Sequence, residues 1–349
     1  MNPLTLEGSP GRTAIVQGKE YLFFSGYGYL GVNHVPAFTA LVKEGIDTYG
    51  WLFPSSRISN TRLALFEETE ALLSSITGSE DTVLFSSGFT AGRAVVSLYP
   101  QLQHAPGAHP AIQANSSAQQ DFTEWSNAFV ELVNNAQTKA VPAFAADSIN
   151  VLTARLNDFS FLAQLQQPGI AIIDDSHGMG LIGADGKGIA SLMPLLSNID
   201  YHYTYSLSKA FGIIGGAVSC SKASAALLRI HPSYTAGTSI SPASLYAFTK
   251  AQGIYRQQRN VLQENMKYFQ LLIQPVPSIQ FHPQLPIFIL PETIDEEWLL
   301  HKGIIVSSFA YPDVHGNKIK RVVLNALHTK EDLDYLFQAL QEQLCANYS

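Results

Sequence analysis

Apolar and polar positions follow several distinct rhythms along this chain, and each rhythm predicts an element. RLALFEETEALLSSI (62–76) repeats apolar residues three and four apart, which predicts an amphipathic helix, and Gly78 supplies its stop. TVLFSSG (82–88) predicts a strand that runs into a glycine turn. GIAIIDDSHGMG (169–180) opens with an unbroken apolar run and ends it in two aspartates. Such a run predicts a strand buried on both faces, as in a parallel sheet between helices. VPAFAADSI (141–149) is a weaker candidate of the same kind. YHYTYSLSK (201–209) and GIIGGAVSCSK (212–222) predict two more strands, flanking Lys209. Alternation of strands and helices on this scale points to a three-layer α/β domain.

The character changes at each end. AIVQGKEYLFF (14–24) predicts two short strands around a turn at residues 17–19. After Gln252 a polar helix, GIYRQQRNVLQENMKYFQLLI, leads to three predicted strands, PIFILP, GIIVSSFAYP and KRVVLNAL. TKEDLDYLFQALQEQL (329–344) begins with Thr329 and Asp332 at capping-box spacing, with Asp in place of Glu. Leu333, Leu336, Phe337, Leu340 and Leu344 then fall on one helical face. The expected organisation is a large domain over 43–252 and a smaller α+β domain over 253–349, joined by residues 1–42.

Composition narrows the function. The chain has 349 residues, 46% hydrophobic and 14% charged, which suffices for a large core. Its net charge is -7 and it has no basic block, so a groove that tracks nucleic-acid phosphates is not expected. Cys220 and Cys345 lie far apart and in no metal-ligand spacing, which fits a reduced, intracellular protein. The first residues lack a charged head followed by an apolar run, and no apolar stretch is long enough to span a bilayer. A cytoplasmic location is the expectation.

Lys209, in SLSKAFG, sits among small, apolar and hydroxyl residues. Taken alone it reads as a loop lysine with a packed stem and a wet amine. Two other features change that balance. Asp174 and His177 close an apolar strand, where ligands of open α/β sheets bind. Ser87, Gly88 and Phe89 close another, in a turn whose backbone N–H groups suit a phosphate ahead of a helix. Each has a plainer reading: aspartates that cap a turn, a satisfied core histidine, an ordinary tight turn. A metal site from Asp174, Asp175 and His177 ranks lower, because no further ligands stand at a recognisable spacing. Together the features suit pyridoxal phosphate. A lysine amine forms a Schiff base with its aldehyde, and a carboxylate keeps its ring nitrogen protonated.

Several motifs then occur in one order: FSGYGYLG, YGWLFPSSRIS, LFEETEALLSSITGSEDTVLFSSGFTAG, IIDDSHGMGLIGADGKG, SLSKAFGIIGG, TSISP and RVVLNALHTKEDLD. In this the chain resembles the α-oxoamine synthase branch of the fold-type I pyridoxal-phosphate enzymes. That group includes 8-amino-7-oxononanoate synthase, glycine C-acetyltransferase, 5-aminolevulinate synthase and serine palmitoyltransferase. The aspartate and lysine motifs are specific in combination, and the others support them. The resemblance implies a three-layer large domain with a mostly parallel mixed sheet, plus a smaller α+β C-terminal domain. It implies that Lys209 holds the cofactor and then moves protons, that Asp174 pairs with the ring nitrogen, and that His177 bonds near the ring hydroxyl. The Gly88 and Phe89 amides, with Ser87 and the Ser206 hydroxyl, would serve the phosphate. Thr238 would reach the phosphate of a second subunit, so a homodimer with shared sites is implied. Arg321 would take the substrate carboxylate. The implied reaction condenses an amino acid with an acyl thioester, with loss of carbon dioxide. An aminotransferase is the alternative on the same scaffold, and a non-catalytic scaffold ranks third, since it has no need of both Lys209 and Asp174.

Three departures fall near the substrate. The family's ring-stacking histidine, in a D-x-x-x-H-A-S type motif, has no clear match. His104 and His109 have the wrong context, and Asn115, Ser116 or Ser117 are the expected occupants of that place. The asparagine of the N-terminal motif, a substrate contact in the family, is Tyr27. The S-M-D-G segment is represented by residues 148–150, with Ser148 carried as a further cofactor contact.

Overall fold

A computed structural model describes residues 3–113, 121–136, 140–310, 316 and 318–346. The chain divides into two compact units, one of residues 37–150 and 156–252, the other of residues 1–36, 151–155 and 253–349. The first division thus falls at the start of helix Pro36–Tyr49 and not at residue 43. That helix is tied into the larger unit, where Tyr246 donates to Glu44 (2.6 Å) and its ring lies 5.7 Å from that of Tyr49.

The larger unit is built on a six-stranded sheet. Its strands are β1 (Asp81–Phe85), β2 (Gln103–His104), β3 (Ala143–Asp147), β4 (Gly169–Asp174), β5 (Ile199–Ser206) and β6 (Gly216–Cys220). Their order across the sheet is β1-β6-β5-β4-β3-β2. Strands β2 to β5 are parallel, and β6 is antiparallel to β5 on one side and β1 on the other. The apolar runs have the reason predicted for them: all of β6 and residues 171–174 of β4 are buried, as strands covered on both faces must be. Helix Gly88–Ser97 packs Ala91, Ala94 and Val95 into a core with Val83, Phe85, Ile172 and Val218. A second cluster is aromatic, with the rings of Trp125 and Phe129 stacked at 5.5 Å and Phe144 and Phe161 at their edges. Both fix the strands whose C-terminal ends carry the polar residues of interest.

The smaller unit has its own six-stranded sheet, in the order Thr13–Val16, Lys19–Phe24, Ile304–Ala310, Lys318–Val323, Ile287–Ile289, Gln280–Phe281. The N-terminal hairpin therefore belongs with the C-terminal strands, Lys19–Phe24 running parallel to Ile304–Ala310. The last two residues of GIIVSSFAYP lie outside the described residues. Helix Lys330–Ala346 opens with the predicted box: Thr329 N donates to Asp332 Oδ2 (2.8 Å) and Asp332 N to Thr329 Oγ1 (3.3 Å). Among the described residues no helix is long and apolar enough to cross a membrane.

Candidate active site

The phosphate-type turn is the N-terminus of helix Gly88–Ser97. Ser87 caps it, its hydroxyl accepting from Thr90 N (3.1 Å), and the first intrahelical bond runs from Ala91 N to Ser87 O. The N–H groups of Gly88 and Phe89 precede that bond, and a helix start of this kind favours an anion. Phe89 is exposed. Backbone crowding explains two glycines here. A Cβ on Gly88 would lie 2.7 Å from that of Ser206, and a Cβ on Gly216 would overlap the Gly88 nitrogen. The turn is thereby held against the strand that leads to the lysine.

Ser206 ends β5. Its N–H donates to Ser176 Oγ (3.0 Å), and its own hydroxyl accepts from Ser208 N (3.2 Å) and lies 2.8 Å from Ser208 Oγ. Lys209 follows, half-buried, in a loop closed by Leu207 N to Gly215 O (2.9 Å) and Ile213 N to Leu207 O (3.2 Å).

Asp174 ends β4 almost fully buried, its Oδ1 accepting from Ser176 N (3.0 Å). The turn-capping reading therefore holds for one oxygen of this carboxylate. Asp175 has a separate task. It accepts from Ser148 Oγ (2.6 Å) and Ile189 N (2.8 Å), and Gly178 and Gly188 close over it so tightly that a Cβ on either would overlap a carboxylate oxygen. The glycine spacing of DDSHGMGLIGADGKG thus wraps one buried carboxyl and fixes the loop that presents half-buried His177. Ser148, expected as a cofactor contact, is fully buried with its hydroxyl committed to Asp175, so it supports that loop instead.

Burial raises the Asp175 carboxyl from 3.8 to about 7, against the opposing bonds from Ser148 and Ile189. A folded-state value above the unfolded one means that the folded protein binds more protons between those limits. Stability from this group is therefore fully present below pH 3.8 and declines as pH rises to about 7. The wild type should lose stability relative to Asp175→Asn across that window in thermal unfolding. A difference that stays flat with pH would remove the assignment.

Asp147, which the sequence reading left out, and His109, which it set aside, lie beside this cluster. Asp147 ends β3 in register with Asp174, so the two carboxyls share one face of the sheet. Its Oδ2 accepts from His109 N (2.8 Å). Burial lowers the His109 pKa, Asp174 pulls it up and Lys209 pushes it down, which puts the imidazole within electrostatic reach of both. The wrong context of His109 has a simple form. Ala105, Pro110 and Ala111 stand where D-x-x-x-H-A-S has its fixed neighbours. Asn115, Ser116 and Ser117, the expected substitutes, lie outside the described residues.

Thr238 is exposed, on the segment ahead of helix Pro242–Lys250. Two predicted substrate residues belong to the smaller unit. Tyr27 is 53% exposed. Arg321 lies on strand Lys318–Val323, where Nη1 donates to Val151 O (2.9 Å) and the guanidinium lies 5.1 Å from the Phe309 ring centroid. Its Nε is buried with no hydrogen-bond partner, and no carboxylate among the described residues pairs with it. Burial pushes its pKa below the ordinary value.

The sequence profile of aminotransferase class I and II matches residues 111–340, more than half of the chain. The chain belongs to that family. Within it, relatives mark the α-oxoamine synthase branch. The chain is 27% identical to the 8-amino-7-oxononanoate synthase of Thermoanaerobacter pseudethanolicus, over 97% of this chain and 91% of that one. It is 29% identical to the biotin biosynthesis bifunctional protein BioWF of Corynebacterium kroppenstedtii, over 97% of this chain but only 55% of the longer relative. In structure it is similar to serine palmitoyltransferase from Sphingomonas wittichii, with a TM-score of 0.83 at 16% identity, over 98% of this chain and 92% of that one. The fold is that of the fold-type I enzymes, and members of this α-oxoamine synthase branch are pyridoxal-phosphate-dependent acyltransferases.

The residues of the larger unit fit that cofactor. Lys209 supplies an amine, the strand-end carboxylate of Asp174 suits a protonated ring nitrogen, and the Gly88–Phe89 helix start offers donors to a phosphate. Bound pyridoxal phosphate supplies the electron sink for chemistry at an amino-acid Cα.

Proposed function

We propose that this α-oxoamine synthase family member joins an amino acid to an acyl thioester. A carbon–carbon bond forms between the amino-acid Cα and the acyl carbonyl carbon. The thioester C–S bond breaks and the thiol leaves with a proton, while the bond from Cα to its carboxylate breaks and carbon dioxide is lost. In this reading Lys209 moves the proton at Cα, Asp174 holds the positive ring nitrogen, and His177 and His109 orient the ring. Arg321 takes the substrate carboxylate. The observation that carries the substrate class is this guanidinium, half-buried, with no acidic partner among the described residues and with an unpartnered Nε, whose planar fork matches a carboxylate. Exposed Thr238 serves a second copy of the chain, so the working form is a cytoplasmic homodimer.

Cofactor-loaded enzyme, given a panel of amino acids and acyl-coenzyme A esters, should release free thiol only when both substrates are present. No thiol release across the panel would overturn the reading. Conversion of the cofactor to its amine form by an amino acid alone would replace it with transamination.

A further inference from the structure

Two parallel strands, β3 and β4, each end in an aspartate, and their register sets Asp147 directly beside Asp174. Adjacent strands lie about 4.8 Å apart, so these carboxyls are near neighbours on one face. Asp147 is not free at that position. Its Oδ2 accepts from His109 N (2.8 Å), and its carbonyl accepts from Asn157 Nδ2 (2.8 Å).

The segment that carries His109 is tied to its neighbours at several points. Ala105 N donates to Ala145 O (2.8 Å), which joins it to β3. A Cβ on Gly92 would lie 2.9 Å from Ala111 O, so helix Gly88–Ser97 presses directly on it. Arg93 Nη1 reaches Gln113 O (2.8 Å), and Ala111 and Ile112 are fully buried. The His109 ring is oriented as well: Ala111 N donates to its Nδ1 (3.1 Å), which leaves Nε2 as the ring's donor.

We infer that Asp147 is a positioning residue of the cofactor site and acts through His109. The side chain of Asp147 locks the backbone from which the imidazole projects, and so fixes where the imidazole stands beside the strand ends that carry Asp147 and Asp174. Electrostatics agree with this geometry. Burial, and then the charge of Asp174, push the Asp147 carboxyl well above the ordinary carboxylate range, which avoids a second full negative charge beside Asp174. The neutral acid still accepts from His109 N. Asparagine can do the same, and alanine cannot.

This inference rests on the pyridoxal-phosphate reading of the site but not on the acyl donor. The test therefore uses cofactor alone, and a failed condensation assay leaves it intact. Full-length apo-enzyme is titrated with pyridoxal phosphate, and the visible absorbance of the lysine-bound form is followed against pH. Asp147→Ala should weaken cofactor binding about tenfold, the size of one lost hydrogen bond, and shift the pH midpoint of the absorbance. His109→Ala should produce the same shift. The double variant should add nothing to His109→Ala alone, because one residue acts through the other. Asp147→Asn should restore both readouts towards wild type. If Asp147→Ala lowers the melting temperature but keeps wild-type affinity and spectrum, or if the two substitutions add, the inference is overturned. Should Asp147→Ala not fold, His109→Ala decides the matter, since an unchanged spectrum there removes the role that Asp147 is meant to serve.

Discussion

Lys209→Ala should fold, lose its visible cofactor absorbance on dialysis and turn over at least about 1,000-fold more slowly, as for removal of a catalytic acid–base group. The loop around Lys209 is closed by backbone bonds, Leu207 N to Gly215 O and Ile213 N to Leu207 O, which the substitution leaves in place. The amine itself is half-buried, so its loss opens no large cavity. What disappears is the one primary amine that this reading gives to the cofactor aldehyde. The same group is the proton carrier at Cα, so binding and turnover fail together. Dialysed protein is scanned for visible absorbance, its circular dichroism is compared with wild type, and thiol release is timed with saturating cofactor. A retained absorbance band, or turnover within tenfold of wild type, would sink the assignment.

The phosphate turn and the strand-end aspartate were legible because each is a local pattern. TVLFSSG and GIAIIDD hold both the strand and its terminating polar residues within a few positions, and the structure keeps them together. Asp175 was visible as a residue but not as a task. Its partners, Ser148 and Ile189, lie 27 and 14 residues away, and only the folded loop shows that the glycines surround its carboxyl. The bond of Ser148 was hidden for the same reason: a serine after an apolar strand looks available, and its hydroxyl is buried against Asp175. His109 was set aside because Ala105, Pro110 and Ala111 replaced the neighbours that define its motif. In the fold, Asp147, Gly92 and Arg93 hold the segment that carries it, and none of those contacts shows in a local motif. Register was the missing signal. VPAFAAD and GIAIID both end in aspartate, and pairing them as parallel neighbours would have placed Asp147 beside Asp174.

Arg321→Met should raise the KM for the amino-acid substrate by about 30- to 1,000-fold, the cost of losing one partner of a desolvated, hydrogen-bonded charge pair. Its effect on stability should be small, and that contrast is what separates a binding arginine from a structural one. A half-buried guanidinium with no acidic partner among the described residues costs the folded state desolvation energy that its bond to Val151 O and its contact with Phe309 repay only in part. Methionine removes that charge and keeps an apolar stem near Phe309, giving up only the bond from Nη1 to Val151 O. The two terms oppose each other, so the unfolding free energy should change by no more than about 1 kcal/mol. A structural arginine would behave in the opposite way, with a marked fall in melting temperature and little change in KM. Arg321→Lys keeps the charge but loses the planar fork and should recover only part of the affinity. Cofactor binding in the absence of amino acid should match wild type in both variants. If KM for every amino acid that supports turnover stays within threefold of wild type in Arg321→Met, the carboxylate is held by another residue.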